Sequence, residues 1–336
     1  MRIRPGTRVG RDEAGRVVIG EGSQRRRMER LSPVQAEVLE RLLTGRPLPS
    51  PAPGSRQVNE YAQLLGALKP WLEETDPARC MPGLAAERLR PDARSWAQVW
   101  GQVGRPAGER AAPAEEVMFR RTRASVWIST LDRTGVATAM ALAAAGVGRI
   151  AAPHDGVVVG EDLGTSPLRL TELGLPRTAG LARHLARLYP HSHVLSPVHM
   201  AEAVHGVDAV VLMTAHGLNA DQLLAVADAD VPVLPVVRGA NGFQIGPAVG
   251  IGERCTTCAM AQWPSLGVGD EEVGVASPSE TTTAVTVAGL VAQSVLMMLD
   301  AVCTPRVAQG ALVGSMVDGG VDFVQTSHHC ARRRAA

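Results

Sequence analysis

The stretch from Val126 to Gly148 constrains the fold more than any other part of the sequence. Residues 124–128 are apolar and rich in β-branched and aromatic side chains, which predicts a buried strand, and residues 136–145 are rich in alanine, which favours a helix. Two glycines end that helix, and a second apolar run follows at residues 149–152. The order strand, helix, strand predicts the first βαβ unit of an α/β fold with a Rossmann-like, doubly wound, mostly parallel sheet.

The loop inside this unit lies where a Rossmann fold binds the phosphates of a nucleotide. Such loops carry the pattern G-x-G-x-x-G, whose second glycine lets the backbone approach the phosphates. This loop runs from Thr130 through Asp132 and Arg133 to Gly135, and only the last glycine remains. A carboxylate about 4 Å from a phosphate charge costs on the order of 4 kcal/mol at an effective dielectric constant near 20. We therefore expect a nucleotide-binding fold that has lost its nucleotide; if Asp132 simply caps the following helix, the expectation is the same.

Length and charge limit the classes of partner. The 336 residues suffice for two domains, and 34 basic against 33 acidic residues give a net charge of +1. This balance does not favour bulk binding of nucleic acid or of an anionic membrane. The N-terminus lacks the apolar segment of a signal peptide, and no apolar run is expected to approach the length of a membrane span, which predicts a cytoplasmic protein. Five cysteines fit thiol or metal roles better than a disulfide framework.

Residues 1–75 are predicted to form a small winged-helix-like α+β domain. Strand-like pieces at residues 4–9 and 16–19 flank a turn signal at residues 12–15, and helices are predicted from Ser32 or Pro33 to residue 42 or 43 and over residues 58–68.

The arginine run Arg25, Arg26, Arg27 and Arg30 in this domain admits three interpretations. It could bind DNA, although a short run on a nearly neutral chain is more often a solvated face. The sharper alternative is a wing that binds a peptide, because an exposed edge strand accepts an extended peptide by β-augmentation.

The rest of the chain is predicted to comprise a linker at residues 76–114 and the Rossmann-like domain at residues 115–336. The linker packs one helix at residues 94–103, whose Trp96 and Trp100 are interpreted as core residues. The predicted elements of the domain after its first unit are helices at 171–188, 219–229 and 282–303, strands at 193–195, 208–213 and 231–237, and a hairpin over 310–324 turned by Asp318, Gly319 and Gly320. Prolines in the strand at 231–237 predict an edge or exit position.

Taken together, these segments resemble the ThiF/MoeB/HesA superfamily, the bacterial relatives of ubiquitin-activating enzymes. The resemblance covers residues 1–330 and is closest to the actinobacterial branch of leader-peptide-binding proteins from azole-forming peptide clusters. Four features carry it: the alanine- and glycine-rich text at 141–148, LTELGLPRTAGLARHL, VVRGANGFQIGPAVGIGERCTTC, and a terminal His/Cys cluster.

Carried over residue by residue, the resemblance implies a degenerate nucleotide site. His154 stands at the position where the family has its ribose-binding acid, and the nearest acid, Asp155, comes one residue later. Arg177 replaces the family's lysine. The magnesium-binding aspartate falls near Ala215, and residues 157–162 offer no counterpart of the family's arginine. Because adenylation depends on placed positive charge and Mg²⁺ around the phosphates, we expect neither ATP nor Mg²⁺ to bind.

The resemblance also implies a structural zinc site. Cys255 and Cys258 form a C-x-x-C knuckle, Cys330 would be the third ligand, and His329 or His328 the fourth, because Arg333 stands where the family has its last cysteine. The alternative is a metal-free turn left from an ancestral site.

Two functional hypotheses follow. The first is a non-catalytic adaptor that binds a ribosomal precursor peptide and docks a peptide-modifying enzyme, with a homodimer formed through the apolar helix at 282–303. The second is an ATP-dependent adenylyltransferase or cyclodehydratase component that acts on a peptide or carrier-protein carboxylate, with Arg133 and Arg177 supplying the charge. DNA binding rests on the arginine run alone.

Overall fold

The computed structural model separates the chain into two compact units, Met1–Phe119 and Arg120–Ala336. The residues that the structure describes are 2–3, 7, 9–12, 14–20, 25–28, 31–44, 48–49, 51, 55–73, 83–99, 114–154, 156–164, 167–196, 204–214, 231–239, 242–251, 280–301 and 304–326.

The first unit has two small sheets and a set of helices. Its strands are β1 (Arg2–Ile3), β2 (Val9–Arg11), β3 (Val17–Ile19), β4 (Arg26–Met28) and β5 (Leu72–Glu73). Its helices are α1 (Pro33–Thr44), α2 (Arg56–Leu68), α3 (Gly83–Arg88) and α4 (Arg90–Val99), and α5 (Ala114–Arg123) spans the boundary. Strands β2, β3 and β4 form an antiparallel sheet in that order, and β1 pairs with β5.

Local sequence explains this arrangement. Asp12 closes the β2–β3 turn by accepting hydrogen bonds from the backbone N–H groups of Ala14 and Arg16. Ser32 caps α1, since its hydroxyl accepts from Gln35 N while the Gln35 side chain accepts from Ser32 N. The apolar faces of the sheet and of α1 and α2 share one buried cluster that includes Ile19, Leu42 and Leu68. The hairpin and both helices follow the sequence prediction, whereas the third strand, β4, was not predicted because arginines rarely signal a strand.

The second unit is built on an eight-stranded sheet. Its strands are β6 (Ser125–Ile128), β7 (Arg149–Ala151), β8 (His193–Leu195), β9 (Ala209–Thr214), β10 (Val233–Arg238), β11 (Gly242–Ile245), β12 (Gly310–Ser315) and β13 (Val321–Gln325). Its long helices are α6 (Arg133–Ala144), α7 (Arg177–Leu188) and α8 (Thr281–Asp300).

The sheet order is β13-β12-β11-β10-β9-β6-β7-β8. The five neighbouring strands β10, β9, β6, β7 and β8 are parallel, whereas β11, β12 and β13 each pair antiparallel with the preceding strand. The predicted fold class, an α/β Rossmann-like sheet, is therefore confirmed. The predicted strands at 193–195 and 208–213 and the terminal hairpin are also present, and the predicted helix at 219–229 lies outside the described residues. The helix predicted from residue 171 begins only at Arg177, because Gly174 turns with φ +80° and Pro176 precedes the first helical residue.

The prediction that residues 231–237 form an edge strand is wrong. Strand β10 is interior, parallel to β9 and antiparallel to β11. Pro235 is tolerated because it lies opposite Gly246, just beyond the end of β11, and needs no N–H there. The carbonyl of Gly246 accepts instead from the side-chain amide of Gln244 at 3.0 Å.

Helix α8 is a core helix with one exposed face. Its buried residues pack against α6 and the sheet; they are Ala284, Val287, Ala288, Val291, Ala292, Ser294, Val295 and Asp300. Asp300, the last residue of α8, forms a buried ion pair with Arg121 of α5. By length and composition alone α8 could cross a membrane, so the expectation that no apolar run approaches that length is wrong.

Candidate functional site

The candidate site lies at the carboxyl ends of β6 and β9, two neighbouring strands whose connections leave in opposite directions. The strand that follows β6 in the chain lies on one side of it and the strand that follows β9 on the other, which makes this the switch point where doubly wound sheets bind ligands. Ser129 closes the gap between the two strands, because its hydroxyl accepts from Met213 N at 2.8 Å and donates to Met213 O at 3.2 Å.

Asp132 lies in the phosphate loop of this site and uses both carboxylate oxygens. Oδ1 accepts from the backbone N–H of Gly135 at 3.0 Å, which caps α6, and Oδ2 accepts from Arg238 Nη2 at 2.6 Å. Arg238, the last residue of β10, also donates to the hydroxyl of Thr134 at 3.1 Å. The helix N-terminus that would attract a phosphate therefore already faces a carboxylate of the protein itself.

Gly135 keeps the role of the last glycine in the pattern, which is close packing of helix on strand. A Cβ built on this residue would lie 1.9 Å from the carbonyl oxygen of Thr130. The loop from Thr130 to Gly135 therefore retains the tight Rossmann turn although the glycines that admit phosphates are missing.

Arg133 connects three segments around the start of α6. Its guanidinium donates to the carbonyls of Glu161 at 2.8 Å and Leu163 at 3.2 Å, and to the hydroxyl of Thr281 at 3.2 Å. Thr281 begins α8, whose N-terminus is capped by Glu280. Hydrogen bonds from the side chain and backbone of Thr282 and from the backbone of Thr283 lower the pKa of Glu280 to about 2.

His154 and Arg177 lie at the two ends of the connection between β7 and α7. Arg177 makes a two-pronged ion pair with the buried carboxylate of Asp162, with distances of 2.9 Å and 3.1 Å. His154, at the predicted ribose position after β7, is exposed, and its Nδ1 lies 3.3 Å from Ser196 Oγ and 3.5 Å from Thr178 Oγ1. The two arginines expected to supply charge to a nucleotide thus both hold the connection between β7 and α7.

A buried pair lies beneath the same connection. Glu172 contacts His184 of α7 at 2.8 Å, and both side chains are almost fully buried. Burial raises the pKa of the Glu172 carboxyl, but the hydrogen bonds from His184 and from Arg169 N outweigh it, so the net shift is downward. This pair fixes α7 and uses none of the predicted site residues.

Sequence reasoning missed Arg238, which pairs with Asp132, and Asp162, which pairs with Arg177. Neither residue lies in the phosphate loop from Thr130 to Gly135. Arg238 does follow a buried strand at the same edge as Asp132, and that placement was the only signal that could have identified it.

The predicted metal ligands Cys255, Cys258, Cys330, His328 and His329 lie outside the described residues, as do Ala215 and Asp155. Among the residues that the structure does describe, no group of three His, Cys, Asp or Glu side chains could hold a metal ion. The zinc site stays a prediction.

The first unit has a second candidate surface at strand β4. This strand pairs only with β3, so its other side is an open sheet edge within the described part of the chain. Arg25, Arg26 and Arg27 are exposed there, and Arg26 donates to the carbonyl of Ala67 in the last turn of α2 at 3.3 Å.

This protein is similar to known proteins in structure and not in sequence. No family model matches the sequence, and no curated protein matches it either. The structure of PaaA is similar at a TM-score of 0.65 and 14% identity, covering 95% of this chain and 98% of that one.

Two structures of MccB, the first of them from E. coli, are similar over nearly the full length of both chains. MccB with ATP has a TM-score of 0.58 at 14% identity, covering 98% of each chain. The microcin C7 biosynthetic enzyme MccB in complex with N-formylated MccA has a TM-score of 0.59 at 14% identity, again covering 98% of each. At this identity the likeness shows the fold alone, and this chain has the ThiF-like Rossmann fold that the sequence resemblance implied.

Proposed function

We propose that this protein is a non-catalytic adaptor that binds a ribosomal precursor peptide and presents it to a peptide-modifying enzyme. The observation that carries the proposal is the carboxylate of Asp132, held between Gly135 N–H and Arg238 where a phosphate would otherwise lie. Because a carboxylate of the protein occupies the phosphate position, a nucleotide is not expected to bind there, but the fold still presents surfaces to which partners can bind.

The charges around the loop support the loss of adenylation. A phosphate at this point would meet Asp132 at close range, which costs on the order of 4 kcal/mol at an effective dielectric constant near 20. Arg133 and Arg177 would have to leave the carbonyl groups and the carboxylate that they now bind. Adenylation enzymes work by holding cations ready for the phosphates, and here the cations are already engaged.

Strand β4 is the proposed peptide site. Its open edge can accept an extended chain by main-chain hydrogen bonding, which gives affinity without a deep pocket. MccB has been solved in complex with MccA, and the likeness of this chain to MccB supports the proposal that its fold binds such a partner.

Binding of a ribosomal precursor peptide, to be sought among the adjacent genes, would test the adaptor role. We expect the labelled peptide to bind the purified protein, to bind equally well with and without millimolar Mg–ATP, and to be modified faster by its enzyme when the adaptor is added. Binding that requires ATP, or modification that is unaffected by the adaptor, would contradict the proposal.

The second candidate is adenylation of a peptide or carrier-protein carboxylate. The likeness to MccB, a biosynthetic enzyme solved with ATP, favours it, and so does the position of Arg133 in the loop. Exchange of labelled pyrophosphate into ATP in the presence of the peptide distinguishes the two candidates, because only an adenylating enzyme catalyses it.

A homodimer and a structural zinc ion complete the proposal. The exposed apolar side chain of Val285 on α8 supports cover by a second copy, and the cysteine knuckle supports the metal. DNA binding is not proposed, because only the arginine run favours it.

A further inference from the structure

We infer that the segment bound along β4 carries acidic residues at alternate positions with apolar residues between them. This inference rests on the proposed function and specifies the peptide that the site would select.

The register of β4 against β3 assigns those faces. Arg26 pairs with Ile19 and Met28 with Val17, and both partners in β3 are buried toward the helices. Arg27 pairs with Val18, which faces the opposite side. Arg25 directly precedes β4, and extending the alternation of the strand by one residue places it on the face of Arg27.

The two faces differ in chemistry. On the helix side, Arg26 is held by the carbonyl of Ala67 at the end of α2, where a cation is favoured by the helix dipole, and Met28 packs on the apolar cluster of the unit. On the other side, the side chains of Arg25 and Arg27 are exposed and make no ion pair or hydrogen bond within the described residues. The helix side therefore offers the apolar side chain of Met28 beside an arginine that already donates to a carbonyl, and the other side carries two positive charges.

An added strand continues this alternation. Residues of a peptide beside Arg25 and Arg27 lie on their face, where carboxylates would pair with the guanidinium groups, while the residues between them lie on the side of Met28. Main-chain hydrogen bonds would give affinity, and the alternate side chains would give specificity.

Binding of designed peptides tests the inference. The probe is a fluorescein-labelled peptide with soluble flanks in which three glutamates alternate with three leucines, and its matched controls carry glutamine or lysine in place of glutamate. Binding is followed by anisotropy to the full chain, to Arg25→Gln/Arg27→Gln, and to Arg11→Gln, which removes an exposed arginine from β2 at the other edge of the same sheet.

Each exposed ion pair is expected to change the Kd about two- to fivefold, because exposed pairs contribute little individually. The double variant should therefore bind the acidic peptide about five- to twentyfold more weakly, the glutamine peptide should bind the unaltered protein equally weakly, and Arg11→Gln should change nothing. N-methylation of alternate peptide residues should abolish binding for one set of positions and not for the other, since only one set donates to β4.

Three outcomes would overturn the inference. Equal binding of the glutamate, glutamine and lysine peptides would remove the acidic pattern and leave peptide binding intact. Failure of all three peptides to bind, while the natural precursor does bind, would show that the pattern is wrong but the adaptor role is not. Tighter binding of a duplex DNA oligonucleotide, lost in the double variant, would assign the arginines to nucleic acid.

Discussion

Replacing Asp132 with alanine should destabilise the second unit by about 2 to 4 kcal/mol. The carboxylate caps α6 through Gly135 N–H, and loss of an N-cap costs about 0.5 to 2 kcal/mol. The same carboxylate pairs with Arg238, whose side chain is only 12% exposed, and a hydrogen bond between charged groups contributes about 1.5 to 3 kcal/mol. The sum lies somewhat below the simple addition because Arg238 keeps its bond to Thr134.

Calorimetric or fluorescence-monitored unfolding would measure this loss. For a unit of this size, 1 kcal/mol lowers the Tm by about 2 to 4 °C, so the variant should melt roughly 4 to 16 °C lower. Asp132→Asn keeps an oxygen for the cap and should lose about half as much. Asp322→Ala, which removes an exposed carboxylate from β13, should leave the Tm unchanged.

A double-mutant cycle identifies the cause. Arg238→Ala should be strongly destabilising alone and much less so in the Asp132→Ala background, with a coupling energy of at least about 1 kcal/mol. The reasoning is refuted if Asp132→Ala costs less than about 0.5 kcal/mol or if the two substitutions are additive.

The remaining predictions concern pH, metal and assembly. Because the pKa of Glu172 is lowered in the folded state, its carboxylate stabilises the fold above the unfolded pKa near 4.5, and this contribution is lost as the pH falls through the folded pKa. Glu172→Gln should therefore lower the free energy of unfolding at pH 7 by about 1 to 3 kcal/mol and flatten the acid limb of a stability–pH curve. An unchanged acid limb would contradict this prediction. Protein purified without chelator should contain about one zinc per chain, and Cys255→Ser should remove the metal and lower the Tm while Cys80→Ser does neither; well under half an equivalent in the unaltered protein would mean that the site is lost. Light scattering should show a homodimer at tens of micromolar, and a monomer at that concentration would count against the exposed face of α8 as the interface.

The fold could be predicted from the sequence because its central signals are local. The apolar run of β6, the alanine-rich helix and the glycines that end it are contiguous, and Gly135 is required where helix and strand approach most closely. Pro235 misled the prediction of β10, because a proline excludes a strand interior only where its missing N–H has a partner to serve. That condition depends on where β11 ends, which is a long-range property.

The candidate site could be predicted only in part, for the same reason. Asp132 and the positions that lack the expected glycines lie in one short segment, so the sequence alone indicates that the loop is incompatible with a phosphate. Arg238 follows Asp132 by more than a hundred residues, and the pairing of Arg177 with Asp162 depends on how the connection after β7 folds back onto α7. The strand character of the arginine run was also hidden, because β4 is formed by pairing with β3 and not by its own propensity.

Isothermal titration of the purified protein with Mg–ATP tests the central claim most directly. Because the carboxylate of Asp132 already faces the N-terminus of α6 and neutralises Arg238, we predict no binding heat up to millimolar ATP. A Kd in the micromolar range would contradict the account, since it would require the loop to accept a triphosphate despite that carboxylate.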